Sequence, residues 1–301
     1  MQKGKVSIII VNWNGGEILY NCIKSIKENS NNNNYEIIVV DNNSSDNSIE
    51  MVEMNFRDTK IIRNSNNEGF AKANNIGLLY AEGEYILLLN SDTLFLDDNV
   101  SIAIDFMNKH KEISMLGVKL LNSDLSLQKS CFKLPSLTSY FFEYVLRYRY
   151  TQKYDYDVEH SVECISGAYM FIRRTAIEKL GLFDEQYYFY QEDTDLCKKF
   201  WDNNEALYYI PYSKVIHIGG SSTTSVKAKM LIQMHKNRYI YIDKYFSNPK
   251  KILFDLITKL GLVSDFVASS IKLFLKRITN KDFLDRIKTY KKIFLLGRSY
   301  R

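Results

Sequence analysis

The N-terminal part of the chain predicts an α/β fold: a mostly parallel central sheet with helices on both faces. Three observations carry that reading. The strands are unbroken apolar runs, "VSIIIV", "EIIVV" and "YILLL", as expected where a strand is buried on both faces. The segments between them repeat apolar residues at helical spacing, as in Ile18, Leu19, Cys22, Ile23 and Ile26. Each strand also ends in polar residues, and in such sheets ligands sit beyond the carboxyl ends of the strands.

Taken in order, "KVSIIIVNWN" is a strand and "EILYNCIKSIKEN" a helix. "YEIIVVDNNSSD" is a second strand with a polar turn, and "SIEMVEMNF" a second helix. "TKIIRNSNNEGF" gives a short strand, "AKANNIGLLYAEG" a third helix and "EYILLLNSD" a fourth strand. This βαβαβαβ order is that of a layered α/β sheet. The middle, "SCFKLPSLTSYFFEYVLRYRYTQKYDYD", is aromatic and irregular and reads as an acceptor-side loop or a lid. Beyond it come a strand, a helix from Arg174 to Leu180 closed by Gly181, the aromatic loop "FDEQYYFY" and a helix starting near Glu192. "ALYYIPYSKVIHIGGSS" reads as a strand pair leading to His217. From about Lys227 the pattern is helical. Leu253, Leu256, Leu260, Val263, Val267, Ile271 and Phe274 recur there, interrupted by Lys259, Lys272 and Lys276, which marks an amphipathic helix or helix pair.

With 301 residues and 46% hydrophobic content the chain suits one large domain, or a domain with an appendage. The boundary falls at 222, leaving a basic helical region over 223–301. The formal charge of +5 is uneven: from Thr223 onward there are 18 Lys/Arg against 5 Asp/Glu, and before it 22 against 30. A tail of +13 points to an anionic surface as partner. Its amphipathic spacing favours phospholipid, and it holds no recognisable nucleic-acid-binding motif. Four dispersed cysteines form neither a zinc ribbon nor a disulfide framework, which suits a reducing, cytoplasmic compartment. The first residues do not form a signal peptide, and no stretch reaches the roughly 18 apolar residues of a membrane span. Neither a Rossmann glycine fingerprint nor a P-loop follows the first strand.

The polar strand ends supply the candidate residues: Asn12 and Asn14, Asp41 to Asn43, Asn66 and Asn67, and Asn90-Ser91-Asp92. Asp92 is either ordinary turn chemistry or one hard oxygen ligand for Mg²⁺ or Mn²⁺, ions whose remaining positions phosphates and water commonly fill. Asp41 either accepts from a base or ribose or forms an Asx-turn. Glu192, Asp193 and Asp195 either complement or cap a helix N-terminus, or present a general base whose proton affinity the aromatic loop raises. His217 is either structural or a metal ligand, and Gly219-Gly220 beside it would admit phosphate to the backbone.

Read together, "VSIIIVNWNG", "IIVVDNNSSDNS", "NEGFAKANNIG", "LLLNSDT", "GAYMFIRRTAIEKLGLFDEQYYFYQEDTDLC" and "HIGGSS" resemble the family 2 inverting glycosyltransferases of GT-A fold, in particular their rhamnosyltransferase-like branch. The likeness runs from about Lys5 to Ser222. It implies transfer of a sugar from a nucleotide-diphosphate donor, such as dTDP-rhamnose or a UDP-sugar, to a hydroxyl of a glycan or lipid-linked acceptor in cell-surface polysaccharide synthesis. By position it implies that Val11, Asn12 and Asp41 border the base and ribose, and that Asn67, Gly69 and Asn74 line the nucleotide pocket. Asn90, Ser91 and Asp92 occupy the D-x-D position, Asp92 being the metal carboxylate and His217 a second ligand to Mg²⁺ or Mn²⁺. Asp193 would be the general base, with Glu192 its catalytic neighbour. Two departures stand out: the first carboxylate of D-x-D is Asn90, and Lys199 replaces an arginine often found after "DLC". The alternative from another class is a non-catalytic nucleotide-sugar or glycan-binding module of the same fold. Such enzymes work in the cytoplasm, in some cases peripherally on the membrane.

Overall fold

The computed structural model describes residues 1–31, 34–148, 154–219 and 227–299. Gly220 and the boundary at 222 lie outside them. Strands β1 (Gln2–Asn12), β2 (Tyr35–Asp41), β3 (Lys60–Arg63) and β4 (Gly83–Asn90) alternate with helices α1 (Gly16–Asn29), α2 (Ser48–Asn55) and α3 (Phe70–Leu79). There follow β5 (Thr93–Phe95), α4 (Asn99–Lys109), β6 (Ile113–Leu121), β7 (Leu127–Gln128), β8 (Cys131–Phe132) and α5 (Leu137–Tyr144). The next elements are β9 (His160–Ser161), β10 (Cys164–Ile165), β11 (Tyr169–Arg173), α6 (Arg174–Leu180), α7 (Glu192–Asp202) and β12 (Ala206–His217). Helices α8 (Lys227–Tyr245), α9 (Asn248–Phe274) and α10 (Asn280–Ser299) complete the described chain.

The main sheet runs β3-β2-β1-β4-β11-β6-β12-β5. β1 to β4 are mutually parallel and β12 is parallel to β6, while β11 and β5 run antiparallel to their neighbours. The apolar runs are explained by burial on both faces. Ile8 and Ile10 point into one core with Leu19, Cys22 and Ile26 of α1. Ile9 points into the other with Ile38, Val40 and Leu196 of α7. Alternate side chains of a strand face opposite ways, so a strand buried twice has no polar face to show. Each such side chain contributes about 1.5–3 kcal/mol.

Two local readings change. The "ALYYIPYSKVIH" segment is one long strand, β12, rather than a pair. Its register against β6 shifts between Ile210 and Lys214, around Pro211, which has no N–H for the ladder. The strand read in "VECISGAYMFIRR" is broken into β10 and β11 by Ser166-Gly167-Ala168, which turn out to matter for the site.

The chain divides into two compact units, Met1–Leu134 with Lys153–Thr224, and Pro135–Gln152 with Ser225–Arg301. The first holds the sheet. The second contains α5, α8, α9 and α10, so the described part of the aromatic middle segment is partly helical and groups with the C-terminal helices. Its core gathers Tyr140, Tyr144, Tyr239, Ile242, Phe254 and Ile257. Arg238 threads that aromatic core, donating to Tyr144 Oη at 2.6 Å and Glu143 Oε1 at 2.8 Å. Burial holds the neighbouring His235 imidazole down to about 3, so it is neutral. α9 is a single helix. It buries Asp255, Thr258, Gly261 and Ser269 alongside Phe254, Ile257 and Leu262. The apolar series that marked it as amphipathic faces outward.

Candidate active site

Strand register assembles the first part of the site. Asn12 pairs with Asp41 and Val11 with Asn90, so three strand ends place their polar residues side by side. Asp41 is buried and well supplied. Its Oδ1 accepts from Asn12 Nδ2 at 3.0 Å and Ser44 Oγ at 2.5 Å, and its Oδ2 from Ser44 N at 3.1 Å. The Asx-turn is therefore present in addition to any role toward a ligand. Asn12 Nδ2 also reaches Ser48 Oγ at 2.9 Å, whereas Asn12 Oδ1 is buried without a partner. Val11 is half-buried against the core that holds Ile9.

The "NEGF" turn comes next. Asn67 Oδ1 accepts from Gly69 N at 3.0 Å, and Asn42 Nδ2 donates to Gly69 O at 3.1 Å. Gly69 has φ +84, and a Cβ there would lie 2.4 Å from Tyr188 O, so only glycine fits. Phe70 N donates to that same Tyr188 carbonyl, which ties the aromatic loop to this turn. Asn74 is buried with its Nδ2 on Phe70 O, one helical turn back, so its amide serves α3 itself.

Asn90 ends β4, Ser91 and Asp92 form the turn to β5, and β5 pairs with the end of β12. That pairing brings His217 to Asp92, with Nε2 3.2 Å from Oδ1. Asp92 Oδ2 accepts from Gly219 N at 3.1 Å. Gln128 sets the ring: its Nε2 donates to His217 O and Asn122 Oδ1, so its Oε1 takes the proton on His217 Nδ1 at 2.6 Å. Nε2 lies 3.2 Å from Asn90 Nδ2 and 3.2 Å from Asp92 Oδ1. An imidazole nitrogen beside a carboxylate, with Nδ1 held by an outer partner, is a set of groups that a divalent cation can use. No group of three or more His, Cys, Asp or Glu ligands occurs among the described residues. The donor set fits Mg²⁺ or Mn²⁺ whose other positions go to phosphate and water.

Across the site, α7 begins at Glu192. Its N-cap position is Gln191, and Tyr190 and Gln191 both sit at positive φ, 73° and 75°. Asp193, one of three acids in the first turn, serves the Thr194 N–H of that turn and also reaches the β10–β11 break. Its Oδ2 accepts from Gly167 N at 3.0 Å and its Oδ1 from Thr194 N at 2.7 Å. Burial raises its proton affinity above the ordinary carboxylate range, against the pull of those N–H bonds. Glu192 is buried, with Oε2 unpartnered, and burial together with the Asp193 charge pushes it further up. Asp195 accepts from Tyr187 Oη at 3.1 Å and is buried in the loop's packing. Lys199 donates to Gly181 O and Leu182 O and holds the end of α6. The β4–β11 ladder continues into the site, where Asn90 N donates to Ala168 O at 3.1 Å, next to the glycine that holds Asp193.

Residues 7–181, more than half the chain, match the model of Glycosyl transferase family 2. The chain belongs to that family. Among curated relatives it is 27% identical over 168 residues to the N-acetylglucosaminyl-diphospho-decaprenol L-rhamnosyltransferase of Mycobacterium tuberculosis, a match covering 53% of this chain and 55% of the relative. It is 26% identical over 184 residues to the rhamnosyltransferase WbbL of Escherichia coli, covering 58% and 70%. The match thus spans about half the length of the mycobacterial relative. Among solved structures, S. aureus TarS 1-349 in complex with UDP-GlcNAc superposes with TM-score 0.56 at 18% identity, covering 97% of this chain and 81% of the other. GalNAc-T7 with UDP, GalNAc and Mn²⁺ superposes at 0.57 and 17%, covering 80% and 50%. These likenesses give the family 2 chain a GT-A type α/β fold, and the family is one of glycosyltransferases.

Ser44, Gln128 and Gly167 were not found from the sequence. Ser44 had a signal, since "DNNS" is an Asx/ST-turn pattern. Gln128 and Gly167 had none, because each meets its partner only through the fold.

Proposed function

We propose that the chain transfers a sugar, with inversion, from a nucleotide-diphosphate donor to a hydroxyl of a lipid-linked glycan at the cytoplasmic face of a membrane. The supporting observation is the fixed pairing of Asp92–His217 with Asp193 through Asn90 and Gly167-Ala168. Two relatives support the chemistry. The mycobacterial enzyme is named for an N-acetylglucosaminyl-diphospho-decaprenol acceptor. WfgD of Escherichia coli, 29% identical over 137 residues, is named for UDP-glucose and a diphosphoundecaprenol acceptor.

In this reading Asn12 and Asp41 hold the base and ribose beside Val11, with the turn at Asn67 and Gly69 forming the adjoining wall. Asn74 supports that wall from within α3. Asp92 and His217 hold the divalent ion, with Asn90 and Ser91 shaping its turn. When bound, Mg²⁺ or Mn²⁺ would neutralise charge on the donor's diphosphate. Asp193 takes the proton from the acceptor hydroxyl, and that oxygen attacks the anomeric carbon opposite the departing diphosphate. Its raised proton affinity suits this task. Glu192, buried and unpartnered beside it, keeps a second negative charge from settling nearby.

The test is product formation by the purified chain from a panel of dTDP- and UDP-sugars with a GlcNAc-diphospho-polyprenol acceptor, read by mass spectrometry. Transfer of one sugar, with the anomeric configuration reversed, is expected. Donor binding with no product from any pair would favour the non-catalytic module.

A further inference from the structure

α9 carries apolar residues on two faces. Toward the core of its unit it presents Phe254, Ile257 and Leu262 among smaller and polar residues, and at Gly261 a Cβ would lie 2.7 Å from Tyr144 Cβ, so α5 approaches the helix closely there. Outward it presents Leu253, Leu256, Leu260, Val263, Val267 and Ile271, each between 44% and 60% exposed, and Phe274 at 86%. These positions recur at three and four residues along one stripe. From Ile252 to Phe274 the stripe is about 34 Å long at 1.5 Å per residue. Isolated exposed leucines need no explanation, but a continuous apolar strip of this length marks a contact surface.

The charges say what kind. The two acids of α9 are both paired, Asp255 with Lys259 at 2.7 Å and Asp265 with Arg147 at 2.6 Å. Exposed Lys250 stands near one end of the stripe, and exposed Lys276 and Arg277 at the other. The region from Thr223 onward carries 18 basic residues against 5 acidic. No helix among the described residues is long and apolar enough to cross a membrane. An apolar stripe flanked by bases on a helix that does not span is the pattern of a helix lying in the headgroup plane.

We propose that the outward face of α9 docks on an anionic phospholipid bilayer, its apolar stripe in the interface and its terminal bases on the lipid phosphates. This deepens the reading above, in which the acceptor is lipid-linked, by naming the surface that meets the membrane.

The test uses the full chain and sedimentation with vesicles. Phosphatidylcholine vesicles containing phosphatidylglycerol are expected to bind it at least about tenfold more tightly than pure phosphatidylcholine, because each surface base adds to the attraction. Binding is expected to weaken as salt rises from about 0.1 M to about 1 M and the Debye length shrinks from about 10 Å to about 3 Å. The triple variant Leu256→Glu, Val263→Glu, Val267→Glu changes only exposed positions. It should keep its thermal midpoint and lose at least about tenfold in binding to the anionic vesicles. Equal binding to both vesicle types, or undiminished binding by the variant, overturns the proposal. So does a dimer that the same substitutions split, since the stripe would then belong to a second copy. Vesicle binding is read without donor or acceptor. Transfer without vesicle binding therefore overturns the surface alone, and vesicle binding without transfer overturns the reaction alone.

Discussion

Asp41 and Asp193 are the carboxylates proposed for binding and for catalysis, and the fold carries them on different backbone. Asp41 accepts three hydrogen bonds from Asn12 and Ser44, and the left-handed residues near it are Asn14 and Asn43, which tolerate that conformation. Asp193 sits behind Tyr190 and Gln191, two consecutive residues in left-handed backbone for which no such tolerance exists. Its neighbour Glu192 is buried with an oxygen unpartnered. Both aspartates are well supplied, since Asp193 accepts from Gly167 N, Thr194 N and Thr194 Oγ1; what separates them is the backbone that carries them and the burial that raises the proton affinity of Asp193.

The sharpest way to break that contrast is Asp193→Asn. An amide takes no proton and keeps only one of the two acceptor oxygens, its Nδ2 facing either Gly167 N–H or Thr194 N–H, so transfer should fall by about 10²–10⁴-fold and the thermal midpoint by a few degrees while donor affinity holds. In the wild type, transfer at saturating donor should decline as pH falls through the raised Asp193 value, because the base must be deprotonated. A variant transferring at near wild-type rate removes Asp193 from the chemistry. Next in size, Asp92→Ala and excess chelator should each remove most of the turnover, and full activity in chelator would refute the ion assignment.

Gln128→Leu probes the ring orientation behind His217. It should weaken activation by Mn²⁺ by about 10–100-fold, with the rate recovered at saturating ion. An unchanged Mn²⁺ titration would leave Gln128 a purely structural residue.

The smallest effect concerns Glu192→Gln. The folded state holds the Glu192 proton more tightly than the unfolded chain, so its stability falls as pH rises above the unfolded carboxylate value of about 4.3. At neutral pH the variant should therefore melt higher than the wild type, and the gain should vanish near pH 4. A lower midpoint at neutral pH would show that the glutamate is satisfied after all.

The sheet edge was legible because strands buried on both faces write themselves as apolar runs, and the polar residue that ends each run is then conspicuous. Asp92 and His217 could be nominated separately, but not as neighbours within 3.2 Å, since that depends on β5 folding back onto β12. Asp193 serves the first turn of α7 through Thr194 N–H, as its place in the sequence suggests, but its second bond was hidden for a related reason. Its partner, Gly167, lies in a break between two strands that the sequence presents as one. In α9 the periodicity was plain and the buried side was not. Periodicity tells that a helix has two faces, and here the interior took the face that combines Phe254 and Ile257 with Gly261, where α5 comes close.

The bond from Asn90 N to Ala168 O, beside the Gly167 N–H that holds Asp193, bears on how this protein would respond to directed evolution. Backbone, rather than a rotamer, spans the interval between the two halves of the site. A Cβ at Gly167 would lie 3.3 Å from Asp193 Cβ, so even alanine there requires the carboxylate to shift by a few tenths of an ångström and larger side chains require more. Libraries that diversify the aromatic loop or the "NEGF" turn can change which sugar or acceptor is admitted, while the spacing between the two carboxylates passes unaltered from parent to offspring.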